Sequence, residues 1–175
     1  DFVFTFGGLA VWDDRGDSKK ELLQRLKINL KPLKNWVDKR YCYVSWLDSD
    51  DMYSSDAIAI IQKQPFRYKG AVGFQKGYIY NLEKKKLAEW NPSTNPPFYT
   101  IFFPREIFLN PKKHLDYIKF YQSHENIPEV FHFKPLTGRK YCVLLHGSNT
   151  TTSWGHRFRG KIIGDKKILK QYAIS

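Results

Sequence analysis

Tyr41-Cys-Tyr-Val-Ser-Trp-Leu-Asp-Ser-Asp-Asp51 is the stretch on which the reading of this chain turns. Its first seven residues are rich in β-formers and nearly all apolar. A run of that kind predicts a strand covered on both faces, as in a parallel or mixed sheet. The apolar run then stops, and three carboxylates follow within four residues: Asp48, Asp50 and Asp51. So close together, they repel one another unless something neutralises them. In α/β sheets ligands gather at the carboxyl ends of strands, so the acids stand where a site is expected. Asp48 and Asp50, two residues apart, are able to point two hard oxygens at one cation, and carboxylate oxygens suit Mg2+, Mn2+ or Ca2+ rather than Zn2+. The plainer alternative is that the acids cap a helix starting near Ser54, each worth about 0.3–1 kcal/mol. An EF-hand is excluded, because Met52, Tyr53 and Ala59 fall where an oxygen ligand, a glycine and a glutamate are needed.

Working outward, residues 2–6 (Phe-Val-Phe-Thr-Phe) read as a strand broken by Gly7-Gly8. Asp17 or Ser18 caps a helix whose Leu22, Leu23, Leu26, Ile28, Leu30 and Leu33 give an apolar face, ended near Pro32. After the acids, Ser54 or Ser55 caps a helix through Ile58, Ile61 and Gln62 that stops at Pro65. Residues 71–81 and 86–90 read as β segments around a Glu83-Lys84 turn, 91–97 as a proline-rich loop and 99–103 as a strand. Pro104 opens a short helical turn, and Pro111 a helix carrying Leu115, Ile118 and Tyr121. Residues 130–133 and 140–145 read as two further strands, and 147–160 as a polar loop. Strands interleaved with helices give an α/β layer architecture.

The 175 residues allow one domain with a real core, and 42% hydrophobic with 17% aromatic residues excludes a disordered chain. No apolar run approaches the ~20 residues of a membrane-spanning helix, and no leader pattern opens the sequence. Cys42 and Cys142 are too few for a disulfide framework and read as buried free thiols. The expected location is therefore cytoplasmic or at a membrane surface, in a reducing compartment. Lys plus Arg is 29 against 17 acids, a net charge of +12. That excess favours an anionic partner: a nucleotide, a phosphosugar, an acidic membrane leaflet or nucleic acid.

A second motif closes another apolar run: Val143-Leu-Leu-His-Gly-Ser-Asn149. His146 ends a strand as the acids end theirs. No nucleophile elbow, Walker loop, Rossmann glycine fingerprint or Cys/His zinc spacing accompanies it.

Leu47-Asp-Ser-Asp-Asp51 resembles the DxD motif of GT-A glycosyltransferases, in which a strand, the acids and a helix follow one another. Phe98-Tyr-Thr-Ile-Phe-Phe-Pro104, His146-Gly-Ser-Asn149 and Trp154 are similar to segments of a group labelled rhamnosyltransferases; the likeness spans residues 25–157. The resemblance implies a GT-A-like, mixed but mostly parallel sheet flanked by helices. It also implies a single glycosyltransferase-like domain over residues 1–175, within a longer polypeptide and lacking N-terminal strands of the fold, because the family carries about twice as many residues before its acids. It implies a nucleotide-sugar donor held through Mn2+ or Mg2+. Asp50 would ligate the metal, Asp48 would contact ribose or metal-bound water, and His146 would complete the metal or diphosphate site. Asp51, Asn149, Arg157, Arg159 and Lys161 would face the substrate. An inverting member needs a general base between the acids and the histidine: Glu125 first, then Glu129 and Asp116. The acceptor would be a glycan, a lipid or a protein. Two other readings stand beside it: a basic protein that binds or processes nucleic acid, and a relative that keeps the fold without catalysis.

Overall fold

The computed structural model describes residues 19–35, 37–48, 50–118, 124–149 and 152–172. The expected strand at 2–6, the Asp17 or Ser18 cap, the side chain of Leu22 and Tyr121 lie outside the described residues. Helix α1 (Lys19–Leu30) buries Leu26 and Leu30 and leaves Ile28 62% exposed, so its apolar face is narrower than expected. Pro32 ends it, and a 3-10 turn (Pro32–Asn35) buries Leu33. There follow β1 (Tyr41–Ser45), β2 (Met52–Tyr53), α2 (Ala57–Gln62), β3 (Gly70–Asn81), β4 (Lys86–Trp90) and β5 (Tyr99–Pro104). Then come α3 (Arg105–Phe108), α4 (Pro111–Ile118), a 3-10 turn (His124–Asn126), α5 (Ile127–Val130), β6 (His132–Leu145), β7 (Arg159–Ile163) and a 3-10 segment (Lys166–Tyr172).

The architecture is α/β, with a curled, mixed seven-stranded sheet flanked by helices. It is not mostly parallel. Only β3 and β6 run parallel; the five other pairings are antiparallel. The connections explain this. β3 returns at once through the turn after Asn81, and β5 returns after the 91–98 loop, both as antiparallel neighbours. A parallel neighbour needs a crossover, and the chain makes one through α3, α4 and α5 into β6.

β3 is the strand at which the sheet forks. One edge pairs with β6 along its length. The other pairs with β5 at residues 71–73 and with β4 at residues 77–81. The β3–β6 register slips between Phe74 and Lys76 and again between Lys76 and Tyr78, at the fork. Arg139 fills the break. Its guanidinium donates to the Gly77 carbonyl (2.9 Å), the Trp90 carbonyl (3.1 Å) and Asn91 Oδ1 (2.7 Å), and it pairs with Glu89 (3.2 Å). Carbonyls that the bulge would leave without a partner are thereby satisfied.

Three clusters fill the fold. One face of the β1–β5 branch packs under α1, α4 and α5 through Leu30, Ile101, Phe103, Leu115 and Ile127. The opposite face packs on α2 and on Trp154 and Phe158 through Phe74, Phe98 and Tyr141. Phe98 stacks on Tyr141 at 3.7 Å, worth ~0.5–1.5 kcal/mol beyond burial. The C-terminal 3-10 segment lays Leu169 and Tyr172 over Tyr80, Leu87 and Leu144.

Two other expectations change. Among the described residues β1 pairs only with β5, and Cys42, Tyr43 and Val44 are half-buried rather than covered on both faces. Its aromatic side chains still find partners: Tyr41 stacks on Phe66 at 3.7 Å, and Tyr43 bonds the Gln64 carbonyl. The two strands expected at 130–133 and 140–145 are one 14-residue strand preceded by α5; Gly138, at φ +90, carries its irregular middle.

Candidate functional site

The acids leave β1 as expected, but their next step is a strand and not a helix. β2 pairs antiparallel with the outer edge of β6, Met52 opposite Cys142 and Tyr53 opposite Tyr141. Continued backwards, that register sets Asp50 and Asp51 beside the end of β6. The Asp51 carboxylate accepts the Leu144 amide at 3.0 Å, and Asp50 Oδ2 lies 2.9 Å from His146 Nε2. None of the acids caps α2: its capping position is Asp56, which makes no side-chain cap bond, and the Ser54 hydroxyl donates to Asp56 instead.

Asn149 completes the corner. Its amide nitrogen donates to Asp50 Oδ2 (3.3 Å) and to the Leu144 carbonyl (2.9 Å), while its amide oxygen accepts the His146 amide (2.9 Å). The tight turn this closes puts Gly147 at φ +82, in the left-handed region. Glu83, from the β3–β4 turn, folds its carboxylate over Gly147, where a Cβ would meet it at 2.8 Å. Glu83 escaped the sequence reading, because a turn glutamate carries no local mark of what it leans on.

Burial pushes the Asp51 carboxyl up to about 7; the Leu144 bond opposes this, Asp50 and Asp48 add to it, and His146 opposes it. Asp48 is raised by lost solvent and by Asp50, against an opposing pull from His124. The His124 turn is tied down by Asn95, which bonds both the His124 carbonyl (2.8 Å) and Gln75 (2.9 Å), and by a bond from the His124 ring to the Asn95 carbonyl.

The remaining residues are scattered. Glu125 follows His124 on that exposed turn. Glu129, on α5, accepts from Asn126 (3.2 Å), and Asp116 lies on the exposed side of α4; neither has a described contact with Asp50. Arg159 opens β7 opposite Trp90 with its guanidinium over Trp154, and Arg157 lies over Phe158. β7 stands two strands from β6 by way of β4 and β3, so the register places Arg157, Arg159 and the exposed Lys161 away from His146.

The Asp50–His146 contact is at hydrogen-bond distance, and it is an ion pair when the imidazole is protonated. Among the described residues no group of three or more His, Cys, Asp or Glu is placed to hold a metal. The fold and site define an α/β protein with an Asp–His pair at the strand ends of a forked sheet. No known protein family, curated protein or solved structure matches the chain. Among the described residues no helix is long and apolar enough to cross a membrane.

Proposed function

We propose that this chain moves a sugar from a nucleotide-diphosphate donor to an acceptor hydroxyl, with Mn2+ or Mg2+ held by Asp50 and His146. The observation that carries the reading is the 2.9 Å approach of those two side chains, 96 residues apart, each at the end of an apolar stretch. A departing nucleoside diphosphate gains negative charge, and a divalent ion bound there supplies the charge to stabilise it. The chain's own residues prepare the corner. Asn149 orients Asp50, Asp48 at the lip meets the ribose or a water on the ion, and Asp51 fixes the lip to β6. Glu125 is the first candidate to take the proton of the acceptor hydroxyl, since it lies in the chain between the acids and His146, with Glu129 and Asp116 behind it. The acceptor is a glycan, a lipid or a protein.

Titration calorimetry with a panel of nucleoside diphosphates, with and without Mn2+, tests the reading. Mn2+-dependent binding is expected, and Asp50→Ala or His146→Ala should abolish it while circular dichroism stays native. Binding that ignores Mn2+, or survives in both variants, removes the assignment.

A further inference from the structure

The corner beside Asp50 and His146 carries a surface that the transfer reading does not use. The β3–β4 turn is joined to the end of β6 by the Leu82 amide, which donates to the Leu145 carbonyl at 2.9 Å. The turn presents Lys84, Lys85 and Lys86, all exposed. Across β4 and away from His146, strand β7 and the C-terminal 3-10 segment carry exposed Lys161, Lys167 and Lys170. Of the acids on these elements, Glu89 is half-buried and pairs with Arg139, while Glu83, which leans over Gly147, and Asp165, which accepts the Lys167 amide, are exposed. Among the described residues none of the six lysines has an ion pair, and the six outnumber the two exposed acids.

Two further observations mark the corner. Lys85 sits at φ +49, a left-handed position that glycine or asparagine normally takes; a charge is kept there against backbone preference. Leu82 is 41% exposed and Ile162 51% exposed, two of six large hydrophobic residues that stand out from the described surface. Leu82 directly follows Asn81, whose pairing with Lys86 closes the hairpin, whereas Ile162 lies opposite Ala88 on the far side of β4.

We propose that this corner seats the protein on an anionic membrane leaflet, Lys84, Lys85 and Lys86 lying against lipid phosphates and Leu82 entering the headgroup boundary. Lysine clusters flanking aliphatic side chains are the chemistry of interfacial binding. Nucleic acid is the weaker fit, because it calls for exposed rings to stack on bases. The rings of these elements are turned inward instead: Tyr80, Trp90 and Tyr172 are buried, and Tyr78 packs edge-on against Tyr172. The surface does not depend on the transfer reading.

The test is co-sedimentation of the 175-residue chain with vesicles of phosphatidylcholine alone or with about 30% phosphatidylserine. Binding is expected only to the anionic vesicles, and it should fall steeply with added salt. Lys84→Glu/Lys85→Glu/Lys86→Glu should lower it by well over tenfold. Leu82→Ser should weaken it while preserving its salt dependence. Circular dichroism confirms that each variant is folded. Equal binding to both vesicle types, binding to neither, or retention in the lysine variant overturns the proposal. So does a labelled oligonucleotide that binds through the same lysines at lower concentration than the vesicles.

Discussion

Asn149 and Asp50 are joined at 3.3 Å by the same amide nitrogen that holds the Leu144 carbonyl at 2.9 Å. One side chain therefore ties an acid of the DxD-like stretch to the strand that delivers His146. Both its amide N–H groups and one acceptor position of its amide oxygen are used within the protein. Asn149→Ala should weaken Mn2+-dependent nucleotide binding by about 10–100-fold, the usual effect of losing a group that orients a metal ligand. Thermal stability should change little, because the corner is half-exposed. An affinity equal to wild type in calorimetry would show that Asp50 needs no clamp.

The fork depends on a glycine at close quarters. A Cβ on Gly77 would meet two ring atoms of Tyr141 at 2.3 and 2.4 Å and its carbonyl at 2.6 Å. That ring cannot retreat, because it is fully buried and stacked on Phe98. Gly77→Ala should destabilise the fold by at least about 3 kcal/mol in urea unfolding. Gly155→Ala is the control: nothing lies within 4 Å of its added methyl, and its effect should stay within about 0.5 kcal/mol.

Both thiols are held protonated. Burial, with Asp51 adding, pushes Cys142 up to about 12; burial, opposed by Arg105, pushes Cys42 up to about 11. Only the thiolate reacts. At pH 8 a thiol-disulfide reagent should label native Cys42 roughly a hundredfold more slowly than a free cysteine and leave fully buried Cys142 untouched. Both should react at once in guanidinium. Prompt labelling of Cys142 in the native protein would mean that β6 opens.

What the sequence made legible was local. The hairpin around Glu83-Lys84 and the proline-led α4 each rest on residues adjacent in the chain, and each is where it was expected, while β1 ends at Ser45, two residues before the break expected after Leu47. What it hid was pairing. Asp48–Asp51 and His146-Gly147 were recognisable as two strand-end motifs, yet their meeting depends on the β2–β6 register, which no single stretch encodes. The apolar run at β1 was read as a strand covered on both faces because composition does not distinguish such a strand from a half-buried one with aromatic partners. β6 was split in two because Pro135 and Gly138 interrupt it and residues 137–140 are polar or small. Its parallel partner β3 holds it in line across both irregularities. Arg139 and Asn95 left no trace at all, since a polar side chain that serves distant carbonyls looks like any surface residue until the strands are assembled.

The core of the helical face holds a titratable group that sets an acid limit on stability. His114 is 1% exposed, with Nδ1 donating to the Phe108 carbonyl at 3.1 Å and the Phe103 ring 4.7 Å away. Its Nε2 is buried with no partner among the described residues, so a second proton there would be an unsolvated charge. Burial pushes its pKa down from 6.5 to about 4, against a smaller opposing effect of the Phe108 bond. Below pH 6.5 the unfolded chain takes up a proton that the native state refuses until about pH 4. More protons bound in the unfolded state mean that stability falls as pH falls. The contribution of this residue is thus intact above pH 6.5 and is lost progressively down to about pH 4, by about 3 kcal/mol in all. Urea unfolding of wild type and His114→Phe across that range isolates it, because the carboxylates titrate alike in both proteins. The difference in stability between the two should shift towards the variant by about that amount as the pH drops. A difference independent of pH would show that the imidazole is already charged, or already wet, in the native core.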